Sequence, residues 1–418
     1  MQHSTTPAAR RATAVAIGAM FFVNGASAAS WFPRLPEIRD RLGVSEAGLG
    51  LTLVGIGLGG LLASIFSGAF VDRFGSRRMC VTTSVMLSAL LPLVALAGRP
   101  LVLFPVLILI GAFDGLTDVA MNSQAIDAQR ARTRPIVSRF HAMWSVGAVT
   151  GGLICAHTAA AGISLTDQLL VTSVVLVVAT LVTRVWLIPT SGRRHQTTTV
   201  IEGPFGDAGV VESSTEPEAP ATFARYKQAF RRLALVGTAV ALTEAPPNDW
   251  ATLMWTDRFH LAGGRAALGY VAIAAGMVVG RFGGDLVTHR FGREATRRGG
   301  ALLAAIGVVI ATTATSAWPM SGVGLFAAGL GISVLFPLMF AAAEEMTPGT
   351  THGMAAFSTG ARGGFLVASP LVGVLAGVWS VAVAVLLISA TAGLTVAASS
   401  LRPAAQRRRA APARPATR

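Results

Sequence analysis

Twelve stretches of predominantly apolar residues, each about 20 residues long, alternate with short polar turns. They fall near 12–32, 47–70, 79–97, 101–125, 139–161 and 167–188, then near 231–256, 265–288, 298–316, 319–343, 353–376 and 379–400. As helices rising about 1.5 Å per residue, such runs span roughly 30 Å of hydrocarbon. A polar segment, 189–230, separates the two sets of six. The pattern predicts an all-α membrane protein of twelve transmembrane helices in two six-helix bundles. The expected layout is an N-terminal segment 1–10, bundles 11–188 and 231–400, a partly disordered linker 189–230 and a tail 401–418. The first run, with Arg10-Arg11 before it and Ala26-Ser27-Ala28 near its end, also has the outline of a cleavable signal peptide. Cleavage would leave an odd helix count and break the symmetry.

The symmetry has a local signature. Gly68-Ala69-Phe70-Val71-Asp72-Arg73-Phe74-Gly75-Ser76-Arg77-Arg78 joins two apolar runs. Gly284-Asp285-Leu286-Val287-Thr288-His289-Arg290-Phe291-Gly292-Arg293 does the same 217 residues later, matched at Arg73/Arg290, Phe74/Phe291 and Gly75/Gly292. A repeat at half the chain length implies two copies of one helical unit, the way many secondary transporters are built.

Charge then orients the bundle. Lysine and arginine total 34 against 20 acids, a net charge of +14, yet only 13% of residues are charged and mean hydropathy is +0.60. With the N-terminus cytoplasmic, 25 of the 34 cationic residues fall on the inner side, a positive-inside distribution that places both termini and the linker in the cytoplasm. The basic excess therefore marks membrane topology and not nucleic-acid binding. Lys227 is the one lysine, so no phosphate-cradling loop ending in Gly-Lys-Ser/Thr exists, and no nucleotide partner is expected. Cys80 and Cys155 are far apart in apolar runs and read as packing residues. No cofactor, metal site or catalytic motif is expected, and the chain is not expected to be an enzyme. In the linker, acids come first and Arg225, Lys227, Arg231 and Arg232 later. Phe223, Tyr226 and Phe230 share a helical face, which predicts a segment lying along the membrane surface. The Arg/Pro/Ala-rich tail from Arg402 is expected to touch anionic lipid.

Polar groups inside lipid are costly and point to function. Asp114, Asp118 and Asn122 recur every four residues on the fourth span, as one stripe. Asn24 lies in the first span and Glu244 in the seventh, followed by Pro246-Pro247, Asn248 and Asp249, where the prolines should break or kink the helix and free carbonyls for a ligand or water. Arg362 lies about 14 Å into the eleventh span. Counted from each span's own end, Asn24, Asp114, Glu244 and Arg362 come out near the bilayer middle, from both halves. That is where repeat-built transporters place their substrate. A buried carboxylate lacking a cationic partner can carry a proton. Asp118 and Glu244 are the chosen carriers, with Asp114 the alternative. Arg362 paired with one carboxylate as a simple helix lock is the plainer reading of that residue. Arg281 and Asp285, one turn apart, are expected to form a local ion pair at the gate. His141 and Ser145 share a face of the fifth span, and a hydrogen bond from the histidine to a neighbour is the plainer expectation there. Glu344 and Glu345 read as interfacial charges.

The turn motif, its echo and the six-plus-six layout together resemble the major facilitator superfamily over residues 11–400. The resemblance implies that Asp72, with Arg73, Arg77 and Arg78 beside it, meets the start of the eleventh helix near 351–355 and latches the cytoplasmic gate when the outside is open. Arg281, Asp285, Arg290 and Arg293 would serve the second copy, where His289 replaces the aspartate. Trp31-Phe32-Pro33-Arg34-Leu35-Pro36-Glu37-Ile38-Arg39, Asp118-Val119-Ala120-Met121-Asn122 and Phe140-His141-Ala142-Met143-Trp144-Ser145-Val146-Gly147 are similar to the fucose-permease-like branch. That branch implies a proton-coupled carrier of a small polar solute, while Arg362 points to an anionic one. Secondary transport by alternating access in the cell membrane, with a solute, protons and lipid as partners, is thus the leading expectation. An exporter of hydrophobic compounds is the alternative. A non-transporting receptor or scaffold ranks last.

Overall fold

Each apolar run becomes a helix or a closely spaced pair. The structure is a computed structural model that describes residues 6–130, 136–189, 198–202, 208–212, 220–315, 318–347 and 352–400. The tail from residue 401 and nearly half of the linker lie outside the described residues. The N-terminal half contains α1 (Pro7–Ala29), a short outer helix α2 (Leu35–Leu42), α3 (Glu46–Phe74), α4 (Ser76–Leu96), α5 (Pro100–Arg130), α6 (Val137–Ala160) and α7 (Leu165–Thr183). The C-terminal half contains α8 (Pro220–Phe259), α9 (Gly263–Phe291), α10 (Arg293–Thr313), the pair α11 (Trp318–Ile332) and α12 (Leu335–Met346), α13 (His352–Val378), and α14 (Val381–Val385) joined to α15 (Thr391–Ala398) by a π-helical turn, Leu386–Ala390. Taking α11–α12 and α14–α15 as one pass each gives six passes per half. Ten of the twelve are long and apolar enough to cross a membrane by that test alone. The other two, α6 and α8, carry the polar residues discussed below.

The repeat has a geometric counterpart. Gly75 ends α3 and starts α4 at φ +84°, ψ 143°, and Gly292 does the same between α9 and α10 at φ +82°, ψ 157°. Only glycine takes this backbone without strain, so a one-residue turn of this hand needs it. Arg73 stacks over Phe74 at 5.6 Å and Arg290 over Phe291 at 5.8 Å, the same pairing in both copies.

Two findings alter the sequence picture around α8. The helix runs unbroken through Pro246-Pro247 and begins at Pro220, so the aromatic segment is its first turns and not a separate surface helix. Proline 246 removes the donor that would serve the Leu242 carbonyl. Ser389, on the π-helical turn, donates to that oxygen at 3.0 Å, so a neighbouring hydroxyl, not a ligand, satisfies it. Residues Thr198–Glu202 and Ala208–Glu212 in the linker form a two-stranded antiparallel hairpin, β1–β2, in the stretch expected to be partly disordered.

The halves meet along two seams, α3 with α13 and α6 with α9. Both are tightest far from the Gly75 and Gly292 turns. There a Cβ on Gly50 would lie 2.5 Å from the Ser369 carbonyl oxygen, and one on Gly264 would lie 2.1 Å from that of Ala156. Small residues let helix backbones approach this closely. On the same outer face Arg39 of α2 bridges to Asp257 of α8 at 3.2 Å and to Glu46 of α3 at 3.1 Å. On the basic face the seams part. Among the described residues nothing lies within 4 Å of where a Cβ on Gly68 would stand, and Phe66, Phe70 and Phe74 are exposed. A cavity of about 560 Å³ there is lined by His141, Arg281, Asp285, Arg293, Glu344 and Met354 among others. The molecule is closed on the face far from the Gly75 and Gly292 turns and open on the basic one.

Candidate functional site

Asp114, Asp118, Asp249 and Arg362 line one cavity of about 180 Å³ between the halves, walled by Trp31, Phe32, Leu53, Leu91 and Phe365. Helix α5 contributes two carboxyls because residues four apart share a face. Asp249 comes from α8 and Arg362 from α13, so both halves supply polar groups. Each aspartate is held by a carboxamide. Asn24 donates to Asp114 at 2.8 Å, Asn122 to Asp118 at 2.9 Å and Asn248 to Asp249 at 3.1 Å.

This corrects the expected membership of the site. Glu244 is 2% exposed and lines a smaller neighbouring pocket with Asn248, Trp144, Ser145, Tyr270 and Arg281. Asp249 takes the place expected for it beside Asp114 and Asp118. Five residues along a helix is a rotation of about 140°, so Glu244 and Asp249 address different walls. Asn122 is fully buried behind Asp118 and does not line the cavity. Asn24 reaches the cavity through Asp114.

The gating residues are also redistributed. Arg281 does not pair with Asp285. Its side chain crosses to the other half, donates to the Ser145 hydroxyl and lies 5.4 Å from the Trp144 ring centre, while Asp285 is exposed. An exposed carboxylate one turn away offers a guanidinium little, and a buried aromatic face competes well. Asp72 is exposed, and no ion pair joins it to the described start of α13. Residue 351, at the expected meeting point, lies outside the described residues. Arg78 is exposed, and Arg77 half-buried, beside Gly75. Arg293, which lines the basic-face cavity with Glu344, pairs with Glu345. The His141 imidazole, 9% exposed, has no hydrogen bond and packs edge-on against Phe21 at 5.0 Å, so the expected hydrogen bond is absent.

Sequence reasoning missed Trp144 and the Arg39–Asp257 bridge as site-related groups. The first stood inside a quoted motif, with nothing in spacing to mark it. The second joins residues 218 positions apart. Among the described residues no cluster of histidine, cysteine or acidic groups could hold a metal ion, and Cys80 and Cys155 are buried free thiols.

The sequence profile of the Major Facilitator Superfamily matches residues 17–348. An uncharacterized MFS-type transporter of Yersinia pestis is 29% identical over 381 residues, covering 91% of this chain and 93% of that protein. The crystal structure of the nucleoside transporter NupG superposes with a TM-score of 0.67 at 13% identity, covering 92% of this chain and 96% of NupG. That of FucP, an MFS transporter in the outward conformation, does so at 0.61 and 15%, covering 91% and 96%.

Proposed function

The chain belongs to the major facilitator superfamily, and from that premise we propose that it carries a small polar or anionic solute across the cell membrane by alternating access, driven by protons. The observation that carries this reading is the cavity between the halves, with three carboxyls and one guanidinium on a mainly apolar wall. Its volume suits a solute the size of a sugar, and a fucose:proton symporter shares the fold. The basic face is taken as cytoplasmic on the positive-inside rule, so the conformation is inward-facing with both termini inside. Asp114, Asp118 and Asp249 rest against neutral amides, and each can exchange a proton as the cavity opens and closes. Arg362 would orient an acidic or hydroxylated solute. The three motif stretches shared with the fucose-permease-like branch favour the same assignment.

The apolar wall of Trp31, Phe32 and Phe365 leaves room for a second reading, export of hydrophobic compounds. Purified protein in proteoliposomes separates the two. A thermal-shift screen of sugars, nucleosides, organic acids and lipophilic cations identifies binders, because a ligand that prefers the folded state raises the melting point. Uptake of a polar binder should then rise with an inward proton gradient and fall in Asp118→Asn and Asp249→Asn. Uptake indifferent to the gradient and to both substitutions would end the proton-driven reading. Binding confined to lipophilic compounds, with raised drug tolerance in expressing cells, would establish export.

A further inference from the structure

We propose that Trp144 is a positioning residue that ties the protonation state of Asp114 to the seam between the halves. The inference rests on the proton-driven reading above. Its basis is a continuous chain of contacts from cavity to seam. The indole N–H of Trp144 donates to Asn24 Oδ1 at 2.8 Å, and Asn24 Nδ2 donates to Asp114 Oδ1 at 2.8 Å. An indole can only donate, so it turns the amide oxygen of Asn24 towards itself and the amide nitrogen towards Asp114. The ring face of the same tryptophan receives Arg281 of the opposite half, whose Nη1 also donates to Ser145, the next residue. Arg281 Nε is buried with no partner, so this cation is held across the seam by the ring and one hydroxyl.

The backbone keeps this chain short. A Cβ on Gly25 would lie 2.1 Å from the Trp144 carbonyl oxygen, and one on Gly147 would lie 2.2 Å from that of Phe22. Helices α1 and α6 therefore touch, and Trp144, 8% exposed, has little room to move independently of Asn24. A hydrogen bond to a carboxylate is roughly twice as strong as one to its neutral acid. When Asp114 takes a proton, Asn24 loosens, the indole is released and Arg281 loses its fixed platform. The α6–α9 seam then parts more readily. Other ionisable groups face this chain. Asp118 lies one turn along α5, His141 one turn back on α6, Glu244 and Asp249 on α8, Tyr270 on α9 and Arg362 on α13.

The full-length protein, with Cys80 and Cys155 replaced by alanine and spin labels at Gly98 and Gly377, reports the two states as inter-label distances in liposomes, with protons as the only ligand. Between about pH 8 and about pH 5.5 the parent's ratio of states should change about tenfold, an ordinary size for coupling between sites. Trp144→Phe keeps a ring beneath Arg281 and deletes the N–H. It should cut that response to below about twofold, as should Arg281→Gln, which frees the other end. Asp114→Asn should likewise cut the response to below about twofold, and adding Trp144→Phe to it should change nothing further. A parent-like response in folded Trp144→Phe overturns the proposal alone. Should Trp144→Phe not fold, a parent-like response in Arg281→Gln does the same. A parent that ignores pH overturns the proton-driven reading as well.

Discussion

Replacing Gly264 by alanine places a methyl group 2.1 Å from the Ala156 carbonyl oxygen. Ordinary contact begins near 3.4 Å, so the α6–α9 seam must widen by about 1.3 Å there. The obstacle is backbone and cannot rotate away. Overpacking of this kind costs about 1–3 kcal/mol. If the seam opens in the outward-facing state, only the inward-facing state bears that cost, and its population relative to the other falls roughly 5- to 150-fold. Distances between labels at Gly98 and Gly377, both exposed glycines with open space around them, read the shift directly. Gly331→Ala is the control. Its methyl would lie 2.3 Å from the Gly300 carbonyl oxygen, between α11 and α10 inside one half and away from both seams, so both states should suffer alike. It should lower the melting temperature and leave the distances unchanged. A Gly264→Ala protein with parental distances and parental transport would refute the claim that this seam opens and closes.

Asp257→Asn should weaken outer closure more modestly. The partner Arg39 keeps Glu46 and Asp40, and Asp257 is partly solvated, so about 1 kcal/mol and a roughly fivefold rise in outward-facing molecules is expected. Label distances at low and high salt check it, since an effect independent of salt would exclude the ion pair as its cause. Ser389→Ala should strand the Leu242 carbonyl and cost about 1–3 kcal/mol in thermal unfolding. Adding Pro246→Ala restores a backbone donor to the same oxygen, so the double variant should recover stability, and additive losses would count against the assignment.

The spans could be read from the chain because hydrocarbon thickness imposes run length, and the half-length repeat because one positive-φ glycine leaves a visible mark at Gly75 and Gly292. The site was legible as a set of costly polar residues but not as an arrangement. Asn24, Asp114 and Arg362 stood out because lipid penalises them. The choice between Glu244 and Asp249 depended on the rotation of α8, which its tertiary packing sets. Arg281 was assigned the nearest opposite charge in sequence, while its partners arrive from α6 in the other half. The prolines of α8 followed the local rule in losing a donor, and a hydroxyl 147 positions away removed the expected consequence.

Helix α8 has 40 residues, about 60 Å at 1.5 Å per residue, twice the thickness of the acyl layer. Its first turns extend past the lipid as a stiff spar anchored in the C-terminal half, and the interdomain tether attaches at the spar's free end. A small tilt of that half then sweeps the attachment point through a larger arc, as a pointer magnifies the turn of its pivot. Anything that grips the tether would hold the tilt with mechanical advantage.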